Sequence, residues 1–268
     1  MFITKIIPRG KIKDWLRCFY YNNFKYTKKF TSNSKNNIFK IIFKNGVEIK
    51  FYNKPHYAGE DVLKGAIEDI ENILNGYLAN YNIKNGDVIV DAGAYLGAFT
   101  LYAAKLVGKE GRVIAYEPHP LLYENLKNNI KLNKLDNCTA IHKGLWSENA
   151  IIKFNPLTNG SATLIFDSEN AEPVINVPVV KLDDEFKKLK IKKIDFIKMD
   201  IEGAEIEATN GCRDILKNNN INLAIASYHI VNGYKTNIRL EQLLSEIGYK
   251  VKTCFPQHQT TYALKIND

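Results

Sequence analysis

The sequence has few cysteines and no long apolar run, and each absence excludes a class of protein. Its four cysteines are scattered. None forms the CxxC pair typical of zinc sites, and their spacing indicates no disulfide framework. No apolar stretch approaches the roughly 20 residues of a transmembrane helix, and the apolar run near the N-terminus is too short for a signal peptide. These features predict a protein of the reducing cytoplasm.

Acidic residues are nearly missing from the first thirty positions. This segment has eight lysine and arginine residues against Asp14 alone, so it holds most of the chain's net charge of +8. Apolar residues that include Trp15 and Phe19 recur at helical spacing, which predicts a basic amphipathic helix near residues 11–22. Such a helix could bind an anionic membrane surface through residues 1–30 and place the protein at the membrane periphery. Alternatively, its apolar face packs on the rest of the chain.

Residues 1–82 are predicted to form an N-terminal appendage to a larger domain. The stretch "FTSNSKNN", residues 30–37, has the composition of a polar linker. The next stretch, "IFKIIFKNGVEIKFY", predicts a β-hairpin that turns at Asn45-Gly46. A helix near residues 59–80 is expected to follow.

Residues 83–268 alternate apolar strands with amphipathic helices. Strands are predicted at 88–91, 112–117, 139–143, 194–199 and 222–227, and helices at 98–107, 120–132, 203–217 and 236–247. The stretch from 150 to 181 adds strand-like pieces, and a hairpin ends the chain. This order predicts an α/β fold of the Rossmann-like class I methyltransferase type. Its sheet is expected to be mostly parallel, with a C-terminal antiparallel hairpin.

The turn after the first of these strands has the composition of a ligand-binding loop. In "DVIVDAGAYLGAFT", residues 87–100, Asp91 ends the strand, and Gly93 and Gly97 allow close approach of the backbone. The spacing is not the GxGxxG of dinucleotide-binding proteins. A second acid, Glu117, ends the next strand, 26 residues after Asp91. Its carboxylate can accept both ribose hydroxyls of an adenosine; alternatively, it caps the helix that starts at Pro120.

Four motifs in order resemble those of the FkbM-type methyltransferases. They are the turn "DAGAYLGAFT" with Thr100 at its end, "EPHPLLYENLKNNIKLN" from Glu117, "LDD" at 182–184, and "DFIKMDIEGAE" at 195–205. The resemblance covers roughly residues 83–265. It implies a methyl donor, S-adenosylmethionine, and transfer to a hydroxyl acceptor, usually on a sugar or a small natural product.

The resemblance also implies where the cofactor lies. Asp91 and the turn Gly93-Ala94-Tyr95-Leu96-Gly97 would face its methionine end, and Glu117 would hold the ribose. Pro118 and Asp200 are also expected to bind the cofactor. The stretch "KGLWSE" would cover the adenine, with Leu145, Trp146 and Ser147 as candidates. Ordinary core packing explains Trp146 equally well.

The catalytic candidates follow two later strands. Asp200 ends one strand with Glu202 close behind it, and His229 ends the next in "LAIASYHI". An acid and a histidine at neighbouring strand ends could serve as the base for an alcohol acceptor. Glu205 is better explained as a helix-terminus residue. In the family an acid often lies two residues before this histidine, where this chain has Ser227, so the identity of the base is open.

A metal is possible at this edge but the spacing does not demand one. Asp, Glu and His could together hold a divalent cation that lowers the pKa of the acceptor, yet we assign no metal ligand from the sequence. The remaining histidines indicate less: His119 could touch the cofactor or cap a helix, and His258 lies in an expected loop.

Two other functions compete with transfer to a glycan or small molecule. The basic N-terminus has interleaved aromatic residues that could bind RNA, although "DIEGAE" lacks the Asn/Asp-Pro-Pro-Tyr type of motif of many base-methylating enzymes. A non-catalytic cofactor-binding module is the second alternative. The sequence leaves the oligomeric state open.

Overall fold

The computed structural model describes residues 29–33, 38–52, 70, 76–155, 174–255 and 258–265. Its strands in chain order are β1 (Lys29–Asn33), β2 (Ile38–Ile42), β3 (Glu48–Tyr52), β4 (Val88–Ala92), β5 (Arg112–Tyr116), β6 (Cys138–Ile141), β7 (Gly144–Leu145), β8 (Ala150–Phe154), β9 (Ile175–Val180), β10 (Phe196–Met199), β11 (Asn222–Ala226), β12 (Ile230–Val231), β13 (Tyr234–Lys235), β14 (Tyr249–Cys254) and β15 (Thr260–Lys265). Its helices are α1 (Ala98–Val107), α2 (Pro120–Leu132), α3 (Leu182–Lys188), α4 (Glu205–Asn210), α5 (Arg213–Asn218) and α6 (Thr236–Glu246).

A seven-stranded sheet forms the centre of the molecule, in the order β14-β15-β11-β10-β4-β5-β6. Five neighbouring strands of this sheet are parallel, namely β6, β5, β4, β10 and β11. In contrast, β15 is antiparallel to both β11 and β14. The predicted α/β fold, with a mostly parallel sheet and a C-terminal antiparallel hairpin, is therefore confirmed. The strand order reverses between β4 and β10, and such a switch point is where open α/β sheets bind ligands.

Apart from Asp91 and Lys198, the central strands β4 and β10 are apolar because both faces of the sheet are covered. Ile89 and Phe196 pack on one face, in the cluster that includes α1. Their chain neighbours Val90 and Ile197 pack on the other face, in the cluster that includes α5 and α6. This alternation follows from the two-residue period of a strand, and it leaves the polar residues to the strand ends.

The N-terminal hairpin predicted at Asn45-Gly46 is confirmed, as β2 pairs antiparallel with β3. The linker predicted at residues 30–37 is wrong in part, because Lys29–Asn33 forms β1 and pairs along the whole of β2. Phe39 and Phe51 stack and lie in the same core cluster as α1. The division at residue 82 stays a prediction. The expected helix at 11–22 and most of that at 59–80 lie outside the described residues.

The helix predicted at 203–217 is instead two helices, α4 and α5. The break lies at Gly211 and Cys212, where Gly211 O accepts from the Asp183 amide at 3.0 Å. The Asp183 carboxylate accepts from the amides of Asp214 and Ile215 at the start of α5. Helix α4 also begins later than predicted, at Glu205 instead of residue 203. Glu202 and Gly203 cannot belong to the helix because their φ angles are positive, at 56° and 103°. No helix within the described ranges is both long and apolar enough to cross a membrane.

Candidate active site

The glycine turn between β4 and α1 lies against the end of β10. The Asp200 amide donates to Ala92 O at 3.0 Å. A Cβ on Gly93 would lie 1.8 Å from Asp200 O, and Gly93 has φ of 75°. Gly97 has φ of 91°, and a Cβ there would meet Leu126 at 2.6 Å. Both glycines are thus required by backbone conformation and packing, which brings the turn and Asp200 together at the switch point.

Asp91 lies beneath this turn and is completely buried. Thr100 Oγ1 donates to its Oδ2, and Lys198 Nζ lies 3.1 Å from its Oδ1. Lys198 also donates to Gly93 O at 2.7 Å. The carboxylate therefore orders the turn from below through a buried ion pair. Sequence analysis missed Lys198, although one lysine in the otherwise apolar strand "FIKM" is a usable signal.

Glu117 lies beside the same turn and contacts its backbone. Its Oε2 accepts from the Tyr95 amide at 2.8 Å and its Oε1 from the His119 amide at 2.9 Å. Burial raises the pKa of Glu117 to about 7, against the lowering effect of these two hydrogen bonds. Tyr95 takes φ of 52° to make its contact. The cap of α2 is His119, whose Nδ1 accepts from Leu121 N at 3.2 Å, and not Glu117.

The residues predicted to cover the adenine follow β6. Leu145 is buried in the core, and the Trp146 amide donates to Val180 O at 2.9 Å. Pro118 lies near Gly144, and its carbonyl oxygen is 3.0 Å from His142 Nε2. The buried Ala94 donates its amide to Tyr116 O at 3.0 Å. The assignment of these residues to the cofactor stays a prediction.

The catalytic candidates meet at the carboxyl ends of β10 and β11. His229 Nε2 lies 3.3 Å from Glu202 Oε2 and 3.7 Å from Asp200 Oδ1. His229 Nδ1 lies 2.9 Å from Glu205 Oε1. These short contacts are ion pairs. Their angles do not meet the criteria of a hydrogen bond for either ring nitrogen of His229. Glu205 is wholly buried, while Glu202 is the most exposed of the three carboxylates, at 27% of its side chain.

The charges of this cluster set the pKa values of its members. Burial disfavours the charged form of His229, but Glu202 and Glu205 outweigh it and raise its pKa to about 10. Burial would raise the pKa of Asp200, but His258, Lys198 and His229 hold it well below its usual range. With no metal ion bound, the ring of His229 is therefore a cation held among carboxylates at neutral pH.

Sequence analysis missed two residues on the other side of Asp200. The Tyr77 hydroxyl donates to Asp200 Oδ2 at 2.6 Å. His258 Nε2 lies 3.3 Å from that hydroxyl and 3.7 Å from Asp200 Oδ2. His258 lies in the loop before β15, as expected, and is buried there. Neither residue shares a motif with Asp200, so no spacing in the sequence indicates the contact.

Glu205 has more contacts than a helix-terminus role requires. Its Oε1 accepts from the amides of Ile201 at 3.1 Å and Gly203 at 3.2 Å, which fixes the turn after β10. The same carboxylate contacts His229. It therefore both stabilises the turn and orients the histidine.

Comparison with known proteins extends these observations. A family model described as the methyltransferase FkbM domain matches residues 91–251. Methyltransferase sdnD of Sordaria araneosa is 29% identical over 161 residues, which cover 48% of this chain and 62% of that protein. Methyltransferase 1 of Beauveria bassiana (strain ARSEF 2860) is 29% identical over 146 residues, covering 47% and 58%. The chain thus spans less than two thirds of the length of these relatives.

A solved structure supports the same assignment at the level of fold. The crystal structure of methyltransferase FkbM from Methylobacillus flagellatus KT superposes with a TM-score of 0.51 at 21% identity, covering 69% of this chain and 45% of that chain. The sheet order and this similarity identify the fold as that of the class I S-adenosylmethionine-dependent methyltransferases. Because the family model spans more than half of its length, the chain belongs to the FkbM methyltransferase family.

Proposed function

We propose that this protein transfers the methyl group of S-adenosylmethionine to a hydroxyl of a sugar or a small natural product. The observation that carries the proposal is the meeting of Asp200, Glu202 and His229 beside the glycine turn, at the switch point of the sheet. Membership of the family supports methyl transfer. The acceptor class rests on the chemistry of the cluster, which suits the removal of a proton from a hydroxyl.

The residues around Glu117 fit the ribose of this cofactor. Each of its carboxylate oxygens accepts one backbone N–H. A carboxylate oxygen can accept a second hydrogen bond, so each oxygen keeps one lone pair for a ribose hydroxyl. The turn from Gly93 to Gly97 would hold the methionine end, with Asp91 and Lys198 fixing the turn from below. Pro118, Leu145 and Trp146 would line the adenine side.

Methyl transfer requires alignment and the removal of one proton. When bound, S-adenosylmethionine supplies a methyl group on a sulfonium, and the C–S bond breaks as the new C–O bond forms. Asp200 and Glu202 would hold the acceptor hydroxyl in line and accept its proton, which then passes to solvent. His229 would orient these carboxylates. Glu202 is the best candidate for the proton acceptor because it is the most exposed of the cluster.

The test offers methyl-labelled S-adenosylmethionine to fractions of a host extract, namely glycan, lipid, RNA, protein and small molecules. We expect label in the glycan or small-molecule fraction, in a product that survives mild alkali as a methyl ether does. The label should be lost with Asp200→Asn and kept with Glu207→Gln, a matched acid on α4 outside the cluster. Label confined to RNA would overturn the acceptor class, and no transfer to any fraction would overturn the activity.

A further inference from the structure

The cluster at the ends of β10 and β11 has the composition of a metal site. Asp200, Glu205 and His229 each offer one ligand atom, and these atoms all lie within 4.8 Å of one another. Two carboxylates and an imidazole are common ligands of divalent first-row metals. Asp200 and His229 follow two adjacent strands, and Glu205 begins α4, so the sheet and the turn after β10 hold the three residues together.

Atoms of this cluster are buried without hydrogen bonds. Asp200 Oδ1, Glu205 Oε2 and both ring nitrogens of His229 find no hydrogen-bond partner among the residues that the structure describes. Glu205 is fully buried and only 9% of the His229 side chain is exposed. A buried polar atom without a partner is costly and rare in native proteins. One ring nitrogen of His229 and one carboxylate oxygen from each of Asp200 and Glu205 lie within 4.8 Å of one another, so a single ligand could contact all three.

In both Asp200 and Glu205, hydrogen bonds from the protein hold the second carboxylate oxygen in place. Asp200 Oδ2 accepts from the Tyr77 hydroxyl, and His258 lies behind it. Glu205 Oε1 accepts from the amides of Ile201 and Gly203. One oxygen is thus anchored and the other is left for a ligand, as in metal sites where outer residues orient the ligands.

The charge of the cluster also suits a cation. Glu202 brings a third carboxylate to within 3.3 Å of His229. Three carboxylates around one imidazole repel one another unless positive charge is added. A divalent cation bound among them would add that charge.

We propose that Asp200, Glu205 and His229 bind one divalent cation of the manganese type. Carboxylate oxygens suit Mg²⁺ and Mn²⁺, while imidazole suits the later first-row metals, so the mixed set favours Mn²⁺. The ion's role in catalysis, lowering the pKa of a bound hydroxyl, rests on the proposed function. Its binding does not.

The experiment titrates Mn²⁺ alone into the chelator-treated full chain and follows free Mn²⁺ by electron paramagnetic resonance. We expect one ion per chain, with nitrogen modulation of the bound signal that disappears in His229→Ala. Asp200→Asn and Glu205→Gln should each weaken binding by at least about tenfold. Glu207→Gln, the matched control on α4, should bind as the wild type does. Asp200→Asn keeps the test valid if the buried Glu205→Gln variant fails to fold.

Absence of stoichiometric binding of Mn²⁺, Mg²⁺ or Zn²⁺ would overturn the inference, as would binding that Asp200→Asn leaves unchanged. Binding of S-adenosylmethionine, measured by calorimetry on the same samples, separates the two proposals. Binding of the cofactor without binding of a cation would contradict the proposed metal site and would still be consistent with the proposed function. Cation binding without cofactor binding supports the metal site and overturns the proposed function.

Discussion

At the scale of single residues, Glu117 combines burial with a pKa close to neutrality. Burial raises its pKa to about 7, so its carboxyl gains a proton as the pH falls below that value. Only the ionised form accepts two hydrogen bonds of full strength, each contributing about 1.5–3 kcal/mol. We therefore predict that affinity for S-adenosylmethionine falls between pH 8 and pH 6. Calorimetry across this range measures it.

Glu117→Gln provides the control for this pH dependence. The variant should bind roughly 10–100-fold more weakly at pH 8 and show a flat profile, whereas the exposed Glu124→Gln should behave as the wild type. If the affinity of the wild-type protein for S-adenosylmethionine did not change with pH, Glu117 would not be the residue that binds the ribose.

Asp200 and His229 are predicted to act on the transfer step more than on cofactor binding. Asp200→Asn and His229→Ala should lower turnover about 10²–10⁴-fold, the loss expected when a general base is removed or misplaced. Cofactor affinity should stay within a few fold. Single-turnover rates on the identified acceptor measure the first quantity, and calorimetry measures the second. Full turnover in both variants would show that neither residue serves the transfer step.

Tyr77 is predicted to act through Asp200. Its hydroxyl donates to Asp200 Oδ2 at 2.6 Å, so Tyr77→Phe should lower the rate roughly tenfold by freeing that carboxylate. The effects of substitutions at two residues that contact each other are generally not additive. The Tyr77→Phe change should therefore cost little more once Asp200→Asn is present. An undiminished effect in the double variant would show that Tyr77 serves the fold alone.

At the scale of elements, α2 supports the N-terminal sheet through two asparagines. Asn133 accepts from Lys50 N at 2.8 Å and donates to Lys50 O at 2.7 Å, and Asn129 accepts from Tyr52 N at 3.0 Å. The two side chains complete the hydrogen bonds on the outer edge of β3. This contact gives a physical reason for the asparagine-rich stretch "LKNNIKLN".

Asn133→Ala should therefore destabilise the fold. The change leaves backbone groups of Lys50 without partners, and each such group costs about 1–3 kcal/mol. Urea unfolding measures the loss, with Asn125→Ala, a more exposed asparagine of the same helix, expected within about 0.5 kcal/mol of the wild type. A loss as small as that of the control would show that water replaces the contacts.

Elements with local signals could be predicted from the sequence, and those set by distant contacts could not. Helices α1 and α2 have the predicted bounds because Gly97 and Pro120 mark their starts and Gly108 follows the end of α1. The break between α4 and α5 depends on Asp183, which lies outside the sequence of both helices. Asp200, Glu202 and His229 follow the ends of strands and were found. Tyr77 and His258 reach Asp200 only through the fold.

At the scale of the whole molecule, the proposed cofactor site at the ends of β4 and β5 lies beside the acid-histidine cluster at the ends of β10 and β11. The switch in strand order makes these neighbours, since the Asp200 amide bonds to Ala92 O. The basic segment at residues 1–30 lies mostly outside the described residues. Its binding to an anionic surface stays a prediction that salt should weaken.

A crystal structure with S-adenosylhomocysteine tests this arrangement most directly. We predict both ribose hydroxyls on the Glu117 carboxylate, the methionine end on the turn from Gly93 to Gly97, and the sulfur facing Asp200 and His229. Such a structure also shows whether the cluster holds an ion. A ligand whose ribose does not touch Glu117, or whose sulfur faces away from Asp200 and His229, would contradict the account.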